Sequence, residues 1–253
     1  MNSRKLLFVT CMLASIVLLV GAGPVPAAFL FSEDYETYNL GVLPPQGGWT
    51  QLSGGYENVA NGTGVNTTKT SGWLDIVVAP SLKQSSLAKT FTAADPDTVF
   101  SSQFLTGSAI DGDHYLANYF GTTAPEEIGL QIDNNNFIFR DAAAGNAVVG
   151  NLAPSNWYEM KWVVDWSVAG GEGDASHRNL TTGGPWVDVP SLQNHNMQLT
   201  NFSFDYVRTY MGKRGVGLAR DNIYIYDIPE PGSLALLATG LIGLLCCARR
   251  KRG

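Results

Sequence analysis

From Trp157 to Trp166 every second side chain is large and apolar: Tyr158, Met160, Trp162, Val164 and Trp166. Glu159, Lys161 and Asp165 alternate with them. A period of two belongs to a β-strand with one buried and one wet face, since a helix would scatter these residues around its axis. Leu74, Ile76 and Val78, opposed by Trp73, Asp75 and Val77, repeat the pattern. Short runs of this kind fill the chain between Phe29 and Ile228, and no amphipathic helix longer than two turns interrupts them. The spacing predicts further strands at Phe29–Glu36, Ser85–Phe91, Val99–Thr106, His114–Phe120 and Ile128–Ile132. It also predicts strands at Asn136–Arg140, Asn201–Arg208 and Asn222–Ile228. Turns are expected where backbone freedom is supplied, at Gly47-Gly48, Gly54-Gly55, Asp133-Asn134-Asn135, Gly170-Gly171 and Gly183-Gly184-Pro185. The expected fold is a single all-β sandwich of about two hundred residues, a usual size for one such domain.

The two ends are of a different kind. Arg4 and Lys5 precede an apolar run from Leu6 to Val20, followed by Gly21-Ala22-Gly23-Pro24-Val25-Pro26-Ala27-Ala28. Charge, apolar stretch and small-residue exit, in that order, read as an export leader over 1–28, cut by a signal peptidase after Ala27 or Ala28. At the other end Pro229-Glu230-Pro231 leads into an uncharged stretch from Gly232 to Ala248, closed by Arg249-Arg250-Lys251-Arg252. As a helix that stretch is about 25 Å long at ~1.5 Å per residue. It is short for a hydrocarbon layer of about 30 Å, a mismatch that snorkelling arginines and local thinning can absorb. Its Leu/Ala/Gly composition favours a membrane helix over a strand, with the basic cluster on the cytoplasmic side.

Cysteine and charge fit an exported middle. Cys11, Cys246 and Cys247 all lie in the apolar ends, so the body has no disulfide, no thiolate chemistry and no cysteine zinc site. Between Phe29 and Ile228 stand 10 Lys and Arg against 21 Asp and Glu, a net charge of −11 where the whole chain carries −6. Such acidity argues against nucleic acid or anionic lipid as a partner of the body. It accords with neutral sugars or divalent cations.

Pro229-Glu230-Pro231, the apolar stretch and the arginine-rich end together resemble the PEP-CTERM sorting signal of Gram-negative bacteria. The resemblance covers 229–253. It implies that Pro229, Glu230 and Pro231 are recognised by an exosortase, a membrane-embedded cysteine protease that processes such chains near this motif. It also implies an inner-membrane intermediate, a final place at the cell surface or in the extracellular matrix, and a link to exopolysaccharide and biofilm. Three stretches of the body, Phe31–Gly41 with Gly48-Trp49, Asn156–Asp165 and Asp221–Tyr226, are similar to the opening, central and closing strands of concanavalin A-like lectin/glucanase jelly rolls. That resemblance implies a jelly-roll β-sandwich over 29–228, in a group that holds carbohydrate binders, laminin-G-like modules and glucanases.

The chemistry-bearing residues narrow these options. A glucanase of this fold writes its carboxylates on one strand face as Glu-x-Asp-x-Glu. The chain offers Glu172-Gly173-Asp174-Ala175-Ser176, lacking the third carboxylate and set in a glycine-rich stretch that reads as a loop. Glu126 and Glu127 would face opposite sides of a strand, and Asp34 and Glu36 lack a third partner. His114, His177 and His195 are not spaced as zinc ligands, and no Gly-x-Ser-x-Gly elbow is present. No catalytic residue is assigned. Structural calcium is an expectation at turns rich in hard oxygen, with Asp34, Asp111, Asp113, Asp133 and Asp221 as candidate ligands. Among the six tryptophans, Trp162 and Trp166 read as core by alternation. Trp73, Trp157 and Trp186 are the candidates for an exposed surface that stacks on sugar rings. The leading expectation is a non-enzymatic polysaccharide binder. A glycoside hydrolase or polysaccharide lyase on the same scaffold, and a structural matrix or adhesive protein with no specific ligand, are the alternatives.

Overall fold

A computed structural model of the chain describes residues 28–42, 45–53, 58–61, 69–71, 83–87, 91–92, 97–107, 115–121, 126–133, 136–141, 145–199, 203–204, 206–212 and 218–228. The expected leader up to Ala27, the tail from Pro229 and the Leu74–Val78 alternation lie outside them. By contact clustering Phe29–Asp227 is a unit by itself.

Within it the described strands run, in chain order, β1 (Ala28–Glu33), β2 (Gly41–Val42), β3 (Trp49–Ser53), β4 (Asn58–Asn61), β5 (Lys69–Ser71) and β6 (Lys83–Leu87). Next come β7 (Phe91–Thr92), β8 (Asp97–Leu105), β9 (Tyr115–Gly121), β10 (Glu126–Asp133), β11 (Asn136–Asp141) and β12 (Gly145–Val149). The chain closes with β13 (Trp157–Asp165), β14 (Glu172–Asn179), β15 (Val187–Asp188), β16 (His195–Asn196), β17 (Ser203–Phe204), β18 (Tyr206–Gly212) and β19 (Ala219–Ile228). A ten-stranded sheet has the order β15-β14-β13-β8-β19-β5-β4-β2, with β1 added on β19 and β16 on β14. A seven-stranded sheet has the order β12-β11-β10-β9-β18-β6-β3, and β7 pairs with β17. Among the described residues no helix is long and apolar enough to cross a membrane.

The alternation that predicts β13 is what glues the sheets together. Tyr158, Met160, Trp162 and Val164 are buried in one core with Phe120, Leu130, Phe137 and Phe139 of the seven-stranded sheet. Rings interlock across the gap, Phe139 with Trp162 at 5.7 Å, Phe137 with Tyr158 at 5.2 Å and Phe100 with Phe120 at 5.4 Å. Inward alternation from two sheets is how a sandwich fills its core.

One charge crosses this core. Arg220 of β19, fully buried, donates through Nη1 to the Ala117 carbonyl (2.8 Å) and the Asn118 side chain, and through Nη2 to the Tyr210 carbonyl (3.1 Å). Its acceptors belong to the opposite sheet, so the guanidinium ties β19 to β9 and β18.

One local reading changes. The Glu172–Ser176 stretch expected as a loop is part of β14, paired to β13 along its whole length. Gly173 is there for room and not for a turn: a Cβ would lie 2.6 Å from Met197 Sδ and 3.0 Å from Trp162 Cζ3. Gly145–Val149, whose small residues carry little strand signal, pairs with β11 and forms the edge of the seven-stranded sheet.

Candidate functional site

The outer face of the ten-stranded sheet is set by register. β13 pairs with β8 on one side and β14 on the other, which lines up four rows of outward side chains. From one end these are Gln103, Glu159 and Arg178, then Ser101, Lys161 and Ser176. Next come Val99, Val163 and Asp174, and last Asp97, Asp165 and Glu172. The face therefore has a cationic end and an acidic end; between them Val99 and Ser101 of β8 are fully buried, Val163 is half-buried and Asp174 is exposed. From Lys161 to Asp165 the rise is about 13 Å at ~3.3 Å per residue.

At the cationic end Glu159 is the anchor. Its Oε2 accepts from Arg178 Nε (2.8 Å) and Nη2 (2.5 Å), and its Oε1 accepts from Ser101 Oγ (2.9 Å). Over this pair sits Trp186, brought onto the same face because β15 continues the pairing of β14. Lys161 Nζ and Arg178 Cζ lie 4.1 and 4.6 Å from the centroid of its ring. Cations over an indole face are attracted by its quadrupole, so the two side chains fix the ring in place while it keeps partial exposure. Burial lowers the Lys161 pKa; Glu159 opposes that shift and Arg178 adds to it.

Towards β19 the face turns aromatic. Asn222 Nδ2 donates to Gln103 Oε1 (3.0 Å), and the Tyr224 hydroxyl donates to Asn222 Oδ1 (2.6 Å). The Phe29 ring, 61% exposed, lies 5.5 Å from Tyr224 and 5.7 Å from Tyr226. Burial, with the Glu159 carboxylate behind it, raises the Tyr226 pKa. Glu159 is thus close to both the aromatic patch and the Trp186 end.

The residues singled out by sequence fare differently. Trp186 stands on the outer face described above. Trp157, at 5% exposure, is buried and offers no ring to solvent: its strand position is outward, but the Leu180 and Thr181 amides fold back onto its carbonyl. Trp73, Asp111, Asp113 and the motif residues Pro229, Glu230 and Pro231 lie outside the described residues. Asp221 is fully buried and accepts the Asn222 amide through Oδ1 (2.9 Å); Asp34 is half-buried and accepts from the Glu36 amide (3.1 Å). The opening and closing strands pair, β1 on β19, and after burial the charges of Asp34 and Asp221 raise the Tyr224 pKa. Asp133 ends β10 opposite Asn136, at the far sheet. Among the described residues no three His, Cys, Asp or Glu side chains are grouped to hold a metal ion. What the sequence reading missed is the row Asp97, Asp165 and Glu172, whose carboxylates come from three strands and whose alignment only the register reveals.

Comparison with known proteins is informative for the tail and for the body. Residues 227–251 match the PEP-CTERM protein-sorting motif. No curated protein matches the chain. Among solved structures the fold is similar to the catalytic domain of a glycoside hydrolase family 131 protein from Coprinopsis cinerea, with 12% identity, 79% of this chain and 95% of that chain covered, and a TM-score of 0.53. It is also similar to the T. cruzi calreticulin globular domain, with 11% identity, 88% and 98% covered, and a TM-score of 0.52. The lectin UEA-II in complex with galactose is a third, with 10% identity, 79% and 98% covered, and a TM-score of 0.50. At such identities the likeness establishes the fold alone. The chain joins an all-β jelly-roll body to a tail that matches the PEP-CTERM protein-sorting motif.

Proposed function

We propose that this is an exported surface or matrix protein whose body binds polysaccharide along the outer face of β8, β13 and β14. Export begins with removal of the leader by a signal peptidase. The apolar run Gly232–Ala248 then holds the chain in the membrane until an exosortase processes the tail, in the manner the sorting motif at 227–251 implies. The fold does not choose between binding and catalysis, since one similar structure holds galactose and another is a hydrolase domain.

The observation that carries the binding reading is Trp186, a partly exposed ring pinned by Lys161 and Arg178. Sugar rings present C–H faces that stack on such a platform, while amides, carboxylates and guanidinium groups take their hydroxyls. Arg178 lies against the ring and Asp188 follows two residues on, and both offer groups of that kind. The test is a glycan array with the folded body, with and without calcium, followed by titration of any hit. Trp186→Ala is expected to weaken binding at least tenfold while leaving the thermal midpoint within a few degrees. Silence of the wild type under both conditions overturns the binding reading and leaves a structural matrix protein.

A second reading has one specific observation behind it. Asp97, Asp165 and Glu172 lie abreast on neighbouring strands, where directly opposed Cα atoms are about 4.5–5.5 Å apart. Like charges opposed across strands repel, a local cost of the kind that functional sites carry. Glycoside hydrolysis uses a pair of carboxyls that flank the scissile bond. Release of reducing ends from a bound glycan, abolished in Asp165→Asn, would establish the hydrolase.

A further inference from the structure

The sorting motif begins inside the fold. Its matched stretch starts at Asp227, whereas β19 runs on through Ile228, so two residues belong both to the tail signal and to the last strand. Asp227 is fixed there: its Oδ1 accepts from Thr98 Oγ1 (2.8 Å), and Thr98 Oγ1 in turn accepts from Trp166 Nε1 (2.9 Å). Thr98 is fully buried, so this chain of hydrogen bonds reaches from the sheet's interior to the first residue of the motif.

β19 is no edge strand that could peel away. It lies between β8 and β5, takes β1 as a further partner, and carries the fully buried Ile223 and Ile225. Arg220, at its start, is the charge that ties it to the opposite sheet. A protease holds its substrate as an extended segment with several residues free on either side of the bond it cuts. For any bond between Ala219 and Ile228 that would require β19 to leave the sheet. Opening a strand so placed approaches global unfolding in cost, and cleavage through such openings follows their small population.

On the reading of the tail as an exosortase signal, we infer that the folded body itself sets the upstream limit of processing. The scissile bond lies on the C-terminal side of Ile228, and the mature protein keeps β19 whole.

The experiment has two arms on the full chain. The first is the intact mass of the mature protein from its own host. The second is proteinase K digestion of the unprocessed chain in detergent, with the stable fragment's C-terminus read by mass. Termini at or beyond Ile228 in both arms, with the Leu/Ala/Gly stretch lost in the host arm, are the expected result. A terminus at Asp227 or earlier in either arm overturns the inference and leaves the sorting reading intact. A host mass that still runs to Gly253 overturns the sorting reading and this inference with it.

Discussion

Glu33 shows how single residues organise the opening of the sandwich. Its buried carboxylate accepts the Tyr35 amide (2.9 Å), the Tyr38 hydroxyl (2.5 Å) and Trp49 Nε1 (3.0 Å). Burial first, then Glu33, pushes the Tyr38 pKa far upward. Arg220 is the more consequential residue, because its partners are carbonyls that no other group in the core replaces. Arg220→Met keeps the volume and removes the donors, leaving buried acceptors unsatisfied at about 1–3 kcal/mol each. The expected loss over the three acceptors is at least about 3 kcal/mol, read as a shift of the urea midpoint with unchanged slope. His177 gives a pH signature. Burial lowers its pKa, so the unfolded chain binds the proton more readily. Stability from this residue is intact above the unfolded value of about 6.5 and falls as pH drops through the lower folded value. His177→Gln is expected to flatten the stability profile below pH ~6.5, in denaturation series at several pH values.

At the scale of elements, legibility followed amphipathicity. β13 was plain in the sequence because each of its faces meets a different medium, core on one side and solvent on the other. β14 was not, because its core-facing positions Gly173, Ala175 and His177 carry almost no hydrophobic signal. Gly173 is small because Met197 and Trp162 fill the space from neighbouring elements. Gly173→Ala is therefore expected to destabilise, by about 1–3 kcal/mol through overpacking, although alanine suits a strand better than glycine does. Thermal melts of the single variant and of the pair with Met197→Ala test this, and partial recovery in the pair assigns the clash to the thioether. The candidate site had the same partial legibility. Trp186 could be named from its type, but its platform and the carboxylate row needed three strands in register, which is a long-range fact no local pattern encodes.

Over the whole molecule, topology dictates when folding can finish. β1 pairs with β19, so the first and last strands of the body are neighbours, and β19 also joins β8 to β5 in the middle of the ten-stranded sheet. Until β19 is available, the sheet is divided into two parts with open edges, and Arg220 is missing from the interior. Contacts of such sequence separation close late and slow folding. An exported chain of this topology completes its core only after nearly all of the body has emerged. A body ending at Gly217 lacks β19 and is expected to show no cooperative thermal transition and little near-ultraviolet dichroism. A body ending at Ile228 is expected to show one sharp transition by both near- and far-ultraviolet signals. Should the shorter chain melt cooperatively, β19 is an accessory to a core that stands without it, and the protection it gives to the start of the sorting motif has to come from elsewhere.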